Sequence, residues 1–194
     1  MSEKGLQKFR VTLLGTAPIL FDRFVDVSAD QRPPEQKLYL NDRNELVLPA
    51  LNVMSFFFGE NPGGCATRFE KKVRKDYQVM GMSHVLIDPQ NIPFMRNGKP
   101  VVFTRFTDNY DAGAKLRVVY HKPNVKKGTQ IISSPKMRPA LETPWALTLD
   151  LSLFDTHLIN TKKIQNWLMR GGVEIALGTY RPLYGLFMAE FEEL

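Results

Sequence analysis

One cysteine, three histidines and no long apolar run are the first shortages of this 194-residue sequence. The single Cys65 cannot form an internal disulfide, the usage of a reducing compartment, and predicts a cytoplasmic protein. His84, His121 and His157 are scattered and supply no zinc-ligand spacing, so neither a metal nor a cofactor is expected. Nothing approaches the roughly 18 consecutive apolar residues of a membrane span. The polar opening Met1-Ser2-Glu3-Lys4-Gly5 predicts no signal peptide. The most informative shortage is local. From Ala112 to Leu141 there is no acidic residue, while Lys115, Arg117, Lys122, Lys126, Lys127, Lys136 and Arg138 all fall inside that stretch.

What is present suits one folded domain over residues 1–194. Hydrophobic residues make up 43% of the chain, enough for a substantial core, and the net charge of +6 is mild. Distribution of charge therefore says more than its total.

Period-2 patterning predicts a first strand at 9–15. Asn41-Asp42-Arg43-Asn44 between Lys37–Leu40 and Glu45–Leu48 predicts a hairpin. Helical pieces are expected from Pro49 to Phe58, with Leu51, Met54 and Phe58 facing the core, and from Ala66 to Asp76. Val79 to Ile87 reads as the second strand, with His84 inside it as a structural residue. Asn97-Gly98 marks a turn before a short strand at Pro100–Phe103. In the basic stretch, Leu116–Tyr120 and Thr129–Ile132 are expected as arms of a projecting hairpin with Lys126-Lys127-Gly128 near its tip. Leu147, Leu149, Leu151 and Leu153 alternate strictly on one face of a third strand. A helix over 162–177, capped by Asn160 or Thr161, contains Gly171-Gly172, which mean either close packing or a break. A strand at 185–191 follows.

Stripped of insertions the order is βαββαβ, the split βαβ arrangement. The predicted fold is α+β and ferredoxin-like (RRM-like), an antiparallel sheet with both helices on one face. Residues 90–144 are predicted to form an inserted β-rich lobe carrying the basic hairpin.

Ahead of the last strand lies a loop framed by Gly178 and Gly185, with Tyr180, Arg181 and Tyr184 inside. Such glycines serve equally as a helix C-cap with a strand entry or as a backbone path that hugs a nucleic acid. If a nucleic acid is the partner, Lys115, Arg117, Lys122, Lys126, Lys127 and Arg138 would neutralise phosphates. Arg181 would supply a bidentate phosphate contact, and Tyr120, Tyr180 and Tyr184 would stack on bases, unless they only pack with their hydroxyls in water.

Three features together resemble the RAMP (repeat-associated mysterious protein) superfamily, most nearly its CRISPR guide-RNA-coating backbone subunits. Gly178 to Gly185 is similar to that family's C-terminal glycine-rich loop. Leu48-Pro49-Ala50-Leu51-Asn52 resembles its proline-containing segment opening the first helix, and the hairpin at 113–138 its projecting thumb. The resemblance implies non-catalytic binding of single-stranded RNA or DNA, with RNA favoured, and self-association along the strand. The partners implied are further copies of the chain and other subunits of a ribonucleoprotein; a stand-alone, prophage-type relative fits the size.

Two other classes stay open. A RAMP-type endoribonuclease would draw on Asp108 and Asp111, or on His121 or His157 as general acid–base. An assembly protein without nucleic acid would use Phe56-Phe57-Phe58 and Leu20-Phe21 as subunit contacts.

Overall fold

The computed structural model describes residues 5–23, 32–60, 63–70, 74–107, 116–121, 124–127, 130–133 and 136–194. Strand β1 (Leu6–Gly15) buries Phe9, Val11 and Leu13, its alternate residues, as the period-2 pattern requires. A two-residue strand β2 (Ile19–Leu20) and a 3₁₀ turn (Pro34–Lys37) follow. The Asn41 side chain then organises the expected turn, its Oδ1 accepting from the N–H groups of Arg43 and Glu45, both at 3.0 Å. The flanks of that hairpin reduce to a Leu40–Leu46 bridge, and only β3 (Val47–Pro49) is a strand proper.

Helix α1 (Ala50–Phe58) turns Phe58 and, in part, Met54 inward as expected, but not Leu51. Leu51 is 74% exposed, whereas Ala50, Val53, Phe56, Phe57 and Phe58 are buried. The three phenylalanines are thus core residues and not subunit contacts. Phe56 packs on Phe187 with centroids 5.5 Å apart, and Phe58 on Trp167 at 5.8 Å. Leu20 and Phe21 are buried as well. After α2 (Cys65–Phe69), helix α3 (Arg74–His84) occupies most of the stretch expected as the second strand, which shrinks to β4 (Val85–Asp88). The reason is spacing: Tyr77, Met80, Gly81 and His84 recur at helical intervals on the packed side, while Val79 and Met82 point to solvent at 73% and 75% exposure. At Gly81 a Cβ would lie 2.3 Å from the Phe58 ring, so the helix sits directly on α1.

Strand β5 (Asn91–Arg96) and the short β6 (Lys99–Pro100) complete a two-residue hairpin at Asn97-Gly98, both residues at positive φ. The basic segment holds two nested antiparallel strand pairs. Strand β7 (Leu116–His121) pairs with β10 (Lys136–Leu141), and β8 (Asn124–Lys127) pairs with β9 (Gln130–Ser133). The arms therefore differ from the expected pair, because the partner of Tyr120 is Met137 rather than a residue of 129–132. Pro139 reads as a strand breaker, yet it lies within β10, where its carbonyl accepts from Phe21 N at 2.9 Å. Strand β11 (Ala146–Phe154) carries the four alternating leucines, each at most 1% exposed and worth about 2 kcal/mol by burial. Helix α4 (Thr161–Glu174) is capped by Asn160, whose Oδ1 accepts from Lys163 N at 2.9 Å. Gly171 and Gly172 lie inside it without a break. Added Cβ atoms would come within 2.6 Å of the Phe56 ring and 2.4 Å of Phe187 O, so close packing requires both glycines. Strand β12 (Phe187–Glu193) ends the fold.

The central sheet runs β12-β1-β11, then β4 and β5 side by side along β11, with β3 and β6 on β5; every pairing is antiparallel. Taking β4 and β5 as one interrupted strand, the order is fourth, first, third, second. This is the ferredoxin-like α+β fold, with the helices on one face. Of residues 90–144, Asn91–Pro100 joins this sheet, while β7 and β10 form a separate sheet with β2.

Candidate nucleic-acid interface

The glycine-framed loop is held by geometry that no other residue could adopt cheaply. Gly178 and Gly185 have φ of +77° and +76°. A Cβ on Gly185 would stand 1.9 Å from Leu177 O, and one on Gly178 2.6 Å from Leu20 O. Three backbone bonds close the loop: Leu177 N to Gly185 O at 3.0 Å, Gly185 N to Pro18 O at 2.8 Å, and Thr179 N to Leu20 O at 3.0 Å. Inside it the Tyr180 and Tyr184 rings lie 6.2 Å apart, tilted by 49°, with Tyr180 41% exposed. Arg181 folds back rather than outward. Its guanidinium donates to Ala176 O at 3.3 Å, beyond the end of α4, and burial pushes its pKa below the ordinary arginine value.

The loop and the basic hairpin are joined by one run of strand pairing. Thr179 bridges Leu20, Leu20 pairs with Ala140, and Ala140 pairs with Arg117. The β7–β10 pair has two sides. Leu116, Val118 and Tyr120 with Leu141, Pro139 and Met137 make an apolar side, buried at the base and open at the far end, where Tyr120 is 74% and Met137 40% exposed. The opposite side carries the two arginines. Arg117 Nε donates to Glu142 Oε1, and Arg138, 8% exposed, meets Asp22 Oδ2 through Nε at 2.8 Å and through a terminal nitrogen at 2.7 Å. Both arginines thus anchor the hairpin base. Lys37, itself buried, adds a third tie by donating Nζ to Met137 O at 3.0 Å. Lys126 and Lys127 lie on β8, with their side chains outside the described part of the structure; Lys115 and Lys122 lie outside the described residues altogether.

Beside Gly178 and Thr179, against β2 and the start of α1, is a cleft of about 80 Å³. Leu20 and Leu48 form its apolar floor, and Asp22, Tyr39, Asn52 and Thr179 its polar wall. Asn52 stands in the first turn of α1, which has no side-chain cap; the first N–H, that of Ala50, donates to Gln90 O at 2.8 Å. Sequence reading of site residues passed over Asn52, Tyr39 and Thr179. The one available signal was the segment Leu48–Asn52, whose last residue faces this cleft.

The nuclease candidates gain no constellation. Asp108 and Asp111 lie outside the described residues, as does the His121 side chain, and His157 is exposed in the loop before α4. Among the described residues no group of His, Cys, Asp and Glu could hold a metal ion, and no helix is long and apolar enough to cross a membrane.

No family model matches the sequence, and no curated protein matches it either. Solved structures do: 41 chains resemble it. One belongs to the cryo-EM structure of the Type III-B Cmr-beta bound to cognate target RNA, with a TM-score of 0.53 and 11% sequence identity. The match takes in 97% of this chain and 61% of that one, so the present chain spans about three fifths of its neighbour's length. The likeness is one of fold.

Proposed function

We propose that this chain binds single-stranded nucleic acid without cutting it, RNA in preference to DNA, as a RAMP-type subunit that associates with further copies along the strand. Residues 1–194 would act as a single RAMP-like domain and 90–144 as its thumb-like lobe. The observation that carries the reading is the continuous pairing from Thr179 through Leu20 and Ala140 to Arg117, which joins the glycine-framed loop to the base of the acid-free hairpin. A strand laid in that cleft would meet the side chains of Asn52 and Thr179, both suited to phosphate or sugar oxygens. Lys115, Lys122, Lys126 and Lys127 would neutralise phosphates from the hairpin, and Tyr120, Tyr180 and Tyr184 would take bases. Arg117, Arg138 and Arg181 play a different part in this reading: they hold the hairpin and the loop in place. Support also comes from the structural neighbour, which is bound to target RNA.

The test separates contact from scaffold. In Lys126→Ala/Lys127→Ala the slope of log affinity against log salt should fall by about 1.4, two phosphate contacts on a single strand, with the melting temperature unchanged. Tyr120→Ala should weaken binding by about 1–3 kcal/mol at every salt concentration. Wild-type slope and affinity in both variants would overturn the assignment of the hairpin to the nucleic acid.

A further inference from the structure

The open face of the central sheet has the wrong charge for a polyanion. Register places Asp88, Asp150, Arg10 and Glu192 in one row across β4, β11, β1 and β12, and Thr148, Thr12 and Glu190 in the next. The only other charge in these rows and the next is Lys8, opposite Ser152. Arg10 is already engaged by Asp150 through two bonds of 2.8 and 3.0 Å. Four acids against two bases leave this face negative in a chain of net charge +6. Apolar side chains flank the charged rows: Leu86 and Phe154 towards one end, 58% and 44% exposed, and Met188 towards the other, 57% exposed.

We propose that this face receives the basic hairpin of a second copy when no nucleic acid is present, the sheet of one copy standing in for the polyanion on the hairpin of the next. The inference rests on the reading that the hairpin binds nucleic acid. Charge complementarity carries it: the hairpin has no acid between Ala112 and Leu141, and the sheet face has an excess of acid. Apolar complementarity accompanies it, since Tyr120 and Met137 stand exposed side by side on the hairpin. The face engaged is another copy's, because the hairpin base is tied to β2 and to the 3₁₀ turn by Arg138–Asp22, Lys37–Met137 and the β2–β10 pairing. Hairpin and sheet are different surfaces, so the contact is heterologous and extends into open chains as concentration rises. Single-stranded nucleic acid and the sheet face compete for the same lysines, and an oligonucleotide too short to bridge copies breaks the chains.

Sedimentation velocity tests this with wild type and Glu190→Lys/Glu192→Lys, each alone and with single-stranded RNA about 8 nucleotides long, within one single-strand site size. Wild type should associate with concentration at about 50 mM salt, less so at about 300 mM, where charges are more strongly screened. Excess oligonucleotide should return it to monomer. The double variant should stay monomeric throughout while binding the oligonucleotide as tightly as wild type or more so. A monomeric wild type at low salt, association that the variant retains, or association that the oligonucleotide leaves intact would each overturn the proposal. Loss of oligonucleotide binding in both proteins would instead overturn the functional reading beneath it.

Discussion

At the scale of single residues, the candidate site depends on backbone positions more than on side-chain chemistry. Gly185 is the sharpest case: a methyl group there meets Leu177 O at 1.9 Å and φ is +76°. Gly185→Ala should therefore lower stability by about 2–4 kcal/mol in urea unfolding, combining left-handed strain with a backbone clash. A loss near zero would mean the loop is not fixed as described. Charged residues differ by their surroundings. Asp150 accepts from Arg10, and that hydrogen bond holds its carboxyl below the ordinary 3.8. Because the folded value is depressed, its contribution is complete above the unfolded value and is lost as pH falls through the folded one. The stability gap between wild type and Asp150→Asn should thus close below about pH 4, and unfolding curves across pH check it. The gap itself should be small, since both side chains are more than a third exposed.

At the scale of elements, the hairpin combines a fixed base with a basic arm, and substitution should separate them. Arg138→Leu takes from Asp22 its nearer cation, leaving Arg32 at 3.9 Å, and should lower the denaturation midpoint, by about 1–3 kcal/mol in stability, whereas the β8 lysines should not. Equal effects of both would contradict the division. Elements also show what the sequence could and could not reveal. Strand β11 was legible because its leucines alternate without exception and are buried on one side only. Helix α3 was not, because Val79, Met80 and Met82 look like a strand when their exposure is unknown; only contact with Phe58 picks out Gly81 as the inward position. In α1 the inward placing of Leu51 failed for a related reason. Phe56 and Phe58 meet aromatic neighbours on β12 and α4, which lie more than 100 residues away in the sequence. Among the site residues, Gly178 and Gly185 could be read directly, because positive φ leaves few alternatives to glycine. The inward turn of Arg181 and the anchoring of Arg138 could not, since each is set by a partner from a remote segment.

At the scale of the whole molecule, the ferredoxin-like body separates charge by surface. Its open sheet face is acidic, and the acid-free hairpin projects from a second, smaller sheet. On the proposed function, a nucleic acid would lie along the cleft and hairpin and off the sheet. The most direct test is fluorescence anisotropy of the intact chain with labelled single-stranded RNA, single-stranded DNA and duplex DNA across a salt series. The account predicts tight binding to single-stranded RNA that weakens steeply with salt, weaker binding to single-stranded DNA, and little to duplex. Absence of binding to all three at low salt, or a preference for duplex, would contradict it.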